Sequence, residues 1–260
     1  MPAPSLIQIL LAVLCGGFVS FMLGMIGGGG SILAIPLLLY VVGLHNAHAA
    51  IGTAALAVAA SAYLNMIPHA RAGRVRWDAA FTFAASGVLG AALGSTLGKL
   101  VDGHRLLDYF AILMCIVAVL MLRSTPADAD DTRAGTSRRY PQLCGTGLGA
   151  GGLSGFFGIG GGFLIVPGLM FAAQMQIVEA IGTSLFAVGT FGLTTAINYS
   201  ISGDVDWPVA AVFVLGGTVG GWMGARAAGR LAHRRGTLNR VFAGVIVLVA
   251  GYMLMHASQG

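Results

Sequence analysis

Charge is what this sequence has least of. Asp, Glu, Lys and Arg make up 9% of its 260 residues and apolar residues 57%. A soluble domain carries about a quarter charged residues, and a chain of this length has too little interior to hide so much apolar surface from water. The scarcity excludes an ordinary soluble domain. The charges that exist are bunched at 71–78, 99–108, 123–139, 204–206 and 226–240, with Glu179 standing apart. The stretches between the bunches are long enough to cross lipid.

Cysteine is also sparse. Cys15, Cys115 and Cys144 show no CxxC spacing, which excludes a thiolate metal site or a disulfide framework and leaves small packing residues. No GxxxxGK[ST] loop is present, so the chain carries no ATP-driven motor of that type. Gly147, Gly149 and Gly152 spell GxGxxG, but inside an apolar segment with no acid before Glu179, which rules out a dinucleotide fold. No nucleophile and base stand at catalytic spacing, so no enzyme, cofactor or metal is expected. His45, His48 and His69 lie at segment ends without a Cys or acid at ligand spacing. Residues 1–5 hold no Lys or Arg, so the charged start of a secretion signal is missing, and Leu6 to Leu23 reads as a retained first membrane segment. The formal charge of +5 comes from bases in short loops between apolar segments. That pattern sets topology in a bilayer, and it argues against a nucleic-acid partner.

What is present is apolar sequence in blocks. One half has segments near 6–24, 31–43, 47–67, 77–98 and 106–122, and the other near 143–157, 163–174, 179–200, 207–229 and 238–256. Lipid requires the backbone to satisfy its own hydrogen bonds, so helices are expected. The period-2 alternation of an outer-membrane barrel is absent. Segments 31–43 and 163–174 are too short for a hydrocarbon core of about 30 Å and read as half-helices, re-entrant elements or broken helices. The count of full spans is therefore six to ten.

The sequence repeats itself. GMIGGGGSILAIP at 24–36 is answered by GFFGIGGGFLIVP at 155–167, and AAIGTAAL at 49–56 by EAIGTSLF at 179–186. Trp77 answers Trp207, and Gly87, Gly90 and Gly94 answer Gly217, Gly220 and Gly224. YFAILMCIVAVLML at 109–122 answers VFAGVIVLVAGYML at 241–254. The division is a first repeat at 1–122, a polar linker at 123–142 and a second repeat at 143–260. Glycines four apart at 90, 94 and 98, and at 216, 220 and 224, predict tight helix crossings in the fourth segment of each half.

The loop after the third segment carries Arg71, Arg74 and Arg76 in the first half, but Asp204 and Asp206 and no base in the second. The next loop is mixed in the first half, around Lys99, Asp102 and Arg105, and rich in arginine in the second, from Arg226 to Arg240. Basic short loops stay in the cytoplasm. Loops 68–76, 123–142 and 226–240 are therefore expected inside, and loop 201–206 and both termini outside. The expected architecture is an all-α polytopic protein of two inverted-topology repeats in a cell membrane, the inner membrane of a Gram-negative cell. Such repeats are a common build of secondary transporters.

The glycine clusters Gly27, Gly28, Gly29, Gly30 and Gly158, Gly160, Gly161, Gly162 interrupt apolar sequence at matching places. Unpaired backbone at membrane depth is tolerated where it lines a cavity or meets a ligand. Helices starting at Ser31 and Gly162 would turn their N–H groups and dipoles toward an anion. Close packing through small residues is the competing reading. Thr53, Thr183 and Ser184 offer hydroxyls for the same site, or hydrogen bonds between helices. Asn65 and Asn198 have the same two readings, and Pro36 and Pro167 shape the short segments. Glu179 reads either as an ion or proton relay or as a carboxylate at a helix start.

Both glycine–proline motifs, with IGT at 51–53 and IGTSL at 181–185, resemble the duplicated signatures of the sulfite exporter TauE/SafE family, over nearly the whole chain. The resemblance implies a membrane permease for sulfite, sulfonates or related sulfur-containing or organic anions. It maps the family's glycine–proline motif to Gly27, Gly29, Gly30 and Pro36 and to Gly158, Gly160, Gly161 and Pro167, and its threonine motif to Thr53, Thr183 and Ser184. Ser31 stands where the other copy has Gly162, so the halves are unequal there. The expected partners are a small anion and the lipid bilayer, with proton or ion coupling open. A passive anion channel of the same fold and a membrane scaffold without transport are the alternatives.

Overall fold

The computed structural model describes residues 5–123, 140–160, 162–230, 244 and 246–253, and every regular element among them is helical. In chain order these are α1 (Leu6–Ile26), a broken segment α2 (Gly28–Val41), α3 (Ala47–Arg71), α4 (Trp77–Leu100), α5 (Gly103–Arg123), α6 (Tyr140–Phe157), α7 (Gly162–Ala173), α8 (Ile177–Ile201) and α9 (Trp207–Arg230). Residues 246–253 are helical as well. By length and apolarity α1, α3, α4, α8 and α9 each suffice to cross a membrane, while α2 and α7 are short apolar helices. The protein is an all-α, multi-pass membrane protein. The linker 124–139, Gly161 and residues 231–243 lie outside the described residues.

The helix starts follow local chemistry. At α1 the Ser5 hydroxyl accepts the Gln8 N–H at 3.3 Å while the Gln8 carbonyl oxygen Oε1 accepts the Ser5 N–H at 2.9 Å, which satisfies two otherwise orphaned donors. At α3 the Asn46 side chain accepts from His48 and Ala49.

Glycine decides which helices meet. On α1 and α9, a methyl group added at Gly16 would strike the carbonyl oxygen of Phe213, at Gly216 that of Val13, at Gly220 that of Gly17 and at Gly224 that of Phe21. On α4 and α6, one added at Gly90 would strike the carbonyl oxygen of Leu148, at Gly94 that of Gly152 and at Gly155 that of Ala91. Backbones this close require small residues, as the four-residue glycine spacing predicts. The opposite face of α4 holds Leu89, Leu93 and Leu97, all exposed, and that of α9 holds Leu215, Val219 and Met223. An apolar ridge opposite a glycine stripe suits a helix that packs on one side and meets lipid on the other.

The pairings match across the sequence repeat. The first helix of one half lies along the fourth of the other, in α1–α9 and in α4–α6, and the two third helices, α3 and α8, cross each other. Gly220 against Gly17 is the counterpart of Gly90 against Leu148, residue for residue in the repeat. The halves are thus interlocked rather than set side by side.

The glycine cluster of the first half corrects one expectation. Helix does not begin at Ser31. Gly28–Leu33 already form a 3₁₀ turn, followed by one α turn over Ala34–Pro36 and a π turn over Leu37–Val41. Gly30 N–H bonds to the Gly27 carbonyl at 3.4 Å and the Ser31 hydroxyl donates to the Gly28 carbonyl at 2.7 Å. Four glycines cost too much entropy to make a stable α-helix, but the tighter 3₁₀ geometry still satisfies part of the backbone. In the second half α7 does begin at Gly162, after a turn at 158–160.

Candidate substrate pathway

Each glycine break packs on the third helix of the opposite half. Gly27 ends α1 at φ +78°, and a side chain there would meet Ser184 Oγ at 2.9 Å and Ile181 Cα at 3.3 Å on α8. Gly158, at φ +70°, follows α6 and faces Ile51 on α3. Left-handed backbone at such close range is open to glycine alone. Gly160 lies against Val188 and Val58, bringing α7's approach to where α3 and α8 cross. Gly27, Gly28, Gly29, Gly30, Ser31, Gly158 and Gly160 are all buried. Gly27 and Gly158 thus sit toward opposite ends of the α3–α8 pair, and the segments that follow them, α2 and α7, pack on each other. Gly161 lies outside the described residues.

The two threonines tie this region to the loops. The Thr53 hydroxyl oxygen accepts the Asp206 backbone N–H at 2.9 Å, and the Thr183 hydroxyl oxygen accepts the Arg76 backbone N–H at 3.0 Å. Those N–H groups belong to the starts of α9 and α4, where a helix has no partner of its own to offer. The glycine before each threonine explains the IGT motif. A methyl group at Gly52 would strike the Asp204 carbonyl oxygen, and one at Gly182 that of Arg74. Both threonines are fully buried. Ser184 donates to the Ile181 carbonyl at 2.8 Å, and its oxygen faces Gly27.

The two ends of the helix core differ. At one end Lys99 Nζ donates to the Asn198 backbone carbonyl at 3.1 Å, to Asn198 Oδ1 at 2.7 Å and to Ser202 Oγ at 2.9 Å. Asn198 Nδ2 in turn donates to Ser95 Oγ at 2.7 Å and Thr96 Oγ1 at 3.1 Å. All three ammonium protons are used, and α4 is clamped to α8. At the other end α3 and α9 part to form a cavity of about 600 Å³, lined among others by Asn65, His69, Arg71, Arg74, Trp222 and Arg226. The repeat relates these two places. Pro68, His69, Ala72 and Arg226 answer Asn198, Tyr199, Ser202 and Thr96.

Asn65 is at the inner end of the cavity, its Nδ2 donating to the Ser20 carbonyl at 3.2 Å. Asn198 belongs to the lysine clamp instead. Pro36 sits between the α and π turns of α2, and Pro167 lies inside α7. Glu179 is in the first turn of α8, half-buried. Sequence reasoning missed Lys99, Trp222 and Ser61, and took Arg71, Arg74 and Arg226 for topology signals alone. The four-residue spacing of Ser61, Asn65 and His69 on α3 was the available signal.

The profile of the sulfite exporter TauE/SafE family matches residues 12–253. A probable membrane transporter of Xylella fastidiosa is 49% identical over 252 residues, covering 96% of both chains. Relatives described in the same words come from Bacillus subtilis, 26% identical over 77% of this chain and 81% of theirs, and from Methanocaldococcus jannaschii, 25% identical over 79% and 80%. No solved structure matches the chain.

Proposed function

The chain belongs to the sulfite exporter TauE/SafE family of membrane transporters, and we propose that it carries sulfite or a related sulfur-containing or organic anion by alternating access between inverted repeats. The observation that carries this reading is the contrast between repeat-related sites. Where α3 and α9 border an open, arginine-lined cavity, the repeat-related place between α8 and α4 is bridged by Lys99, Asn198 and Ser202. Two equivalent mouths, one open and one shut, are what a single conformation of an inverted-repeat carrier presents.

In this reading loops 68–76 and 226–240 and the linker face the cytoplasm, and loop 201–206 and the termini face out. The cavity between α3 and α9 then opens inward, and Lys99 closes the outer face. The family's glycine motifs, at Gly27–Gly30 with Ser31 and at Gly158–Gly162, meet near the membrane midplane and form the passage between the two mouths. Charge favours backbone donors there, since an anion in low dielectric must replace its hydration shell, and the described interiors of α3 and α8 between the two ends hold no Lys or Arg. Ser184 and the two threonines flank that passage, with the threonines acting first as acceptors that fix its walls. A proton or ion gradient is the available driving force.

Purified protein in proteoliposomes should release preloaded radiolabelled sulfite faster than protein-free vesicles. Equal rates would remove sulfite from the substrate class. Cysteines placed at 74 and 204 should label from opposite sides of the membrane, and labelling from one side would remove the inverted repeat.

A further inference from the structure

Two helix faces border the cavity, Asn65 and His69 on α3 and Thr218, Trp222 and Arg226 on α9. Ser61, four residues before Asn65, continues the α3 column beyond the cavity lining. Residues at that interval stack along one face of a helix. The α3 column is buried from end to end, with Ser61 1%, Asn65 3% and His69 2% exposed. It is also incompletely bonded. Ser61 Oγ and Ser20 Oγ have no partner, and both would lie against a side chain at Gly217 of α9. His69 uses Nε2 on the Gly24 carbonyl at 3.2 Å and leaves Nδ1 without a partner. Buried polar groups are nearly always paired, and an unpaired set marks a place where water or an ion belongs.

The mouth of the column is cationic. Among the described residues the side chains of Arg71, Arg74 and Arg226 make no ion pair, and Arg226 lies flat over Trp222, its Cζ 3.2 Å from the ring centroid. A guanidinium stacked on a ring keeps its in-plane N–H groups free for an oxyanion. The counterpart column on α8 is Phe191, Thr195 and Tyr199. There Phe191 fills the space against Gly87, and Lys99 closes the end.

We propose that the α3–α9 cleft is an oxyanion site, with Arg74 and Arg226 taking the anion at the mouth and Asn65, His69, Ser61 and Ser20 conducting it inward toward the glycine breaks. This rests on the transporter reading and names the residues that select the anion. The mouth lies among Leu64, Ile67 and Trp222, so the soluble anion competes there with the headgroups of acidic lipids.

The test uses the full chain with Trp77→Phe and Trp207→Phe, which leaves Trp222 as the sole tryptophan. In zwitterionic nanodiscs, sodium sulfite should change its fluorescence saturably, while sodium chloride at equal ionic strength should not. Arg74→Gln should weaken the sulfite effect at least tenfold. Ser61→Val should cut sulfite flux at least tenfold in proteoliposomes, and the milder Ser61→Ala severalfold, with Gly149→Ala as the control because nothing lies within 4 Å of that position. A sulfite response unchanged in Arg74→Gln would overturn the mouth site, and parent-like flux in both serine variants would overturn the column. A response to acidic lipid with none to sulfite would assign the mouth to headgroups and overturn the proposal. Absence of sulfite flux in the parent, with a saturable Arg74-dependent fluorescence response, would refute the transport reading while upholding the site.

Discussion

Thr53 and Asp206 are 153 residues apart in sequence, yet the threonine hydroxyl oxygen accepts the Asp206 backbone N–H at 2.9 Å inside the protein. Thr183 and Arg76 repeat the contact at 3.0 Å. Each third helix therefore anchors the start of the other half's fourth helix. The Asp206 carboxylate then accepts the Val209 N–H at 3.1 Å, so the first turn of α9 is fixed from both sides.

Removing that acceptor should cost stability. Thr53→Val keeps the shape but leaves a buried N–H unpaired, a loss of roughly 1–3 kcal/mol. Thermal unfolding of the purified protein in detergent should begin at a lower temperature, and Thr53→Ser should restore most of the loss. Unchanged unfolding in Thr53→Val would mean that the hydrogen bond contributes nothing.

The glycine stripes should be intolerant of one added carbon. Gly220→Ala and Gly90→Ala each drive a methyl group into a partner helix's carbonyl oxygen, and overpacking of this kind costs about 1–3 kcal/mol. Gly149→Ala, on a face with open space, should be neutral. Equal stability of all three would refute the close helix pairs.

Releasing the lysine clamp should open the closed face. In a background without Cys15, Cys115 and Cys144, a cysteine at Ser95, which is fully buried, should react slowly with a membrane-impermeant thiol reagent. Lys99→Met removes all three donors to Asn198 and Ser202 and should raise that rate at least severalfold. An unchanged rate would show that the clamp does not hold this face shut.

Much of the fold was legible because lipid leaves few options. Apolar blocks between Arg71–Asp78 and Lys99–Asp108 had to be helices, and the glycine spacing at 90, 94 and 98 named the packed face of α4. The repeat offset also identified which residues are counterparts. Boundaries were less legible. Four glycines indicated a break but not that the chain would tighten into a 3₁₀ turn, since that depends on α1 packing against Gly30. The roles of the hydroxyls were not legible either. Thr53 is polar in an apolar run whether it meets a substrate or caps α9, and only the return of the chain at Asp206 separates the two. Lys99 read as one charge in a mixed loop, because its partners are 99 and 103 residues away.

Alternating access is tested most directly by counterflow. Proteoliposomes loaded with excess unlabelled sulfite and diluted into a trace of radiolabelled sulfite should accumulate label transiently above its equilibrium level, since a carrier that opens to one side at a time returns loaded. Lys99→Met, with its outer closure weakened, should show a smaller overshoot. Simple monotonic equilibration of the label by the parent protein, with no overshoot at any internal concentration, would contradict the account and identify a passive pore.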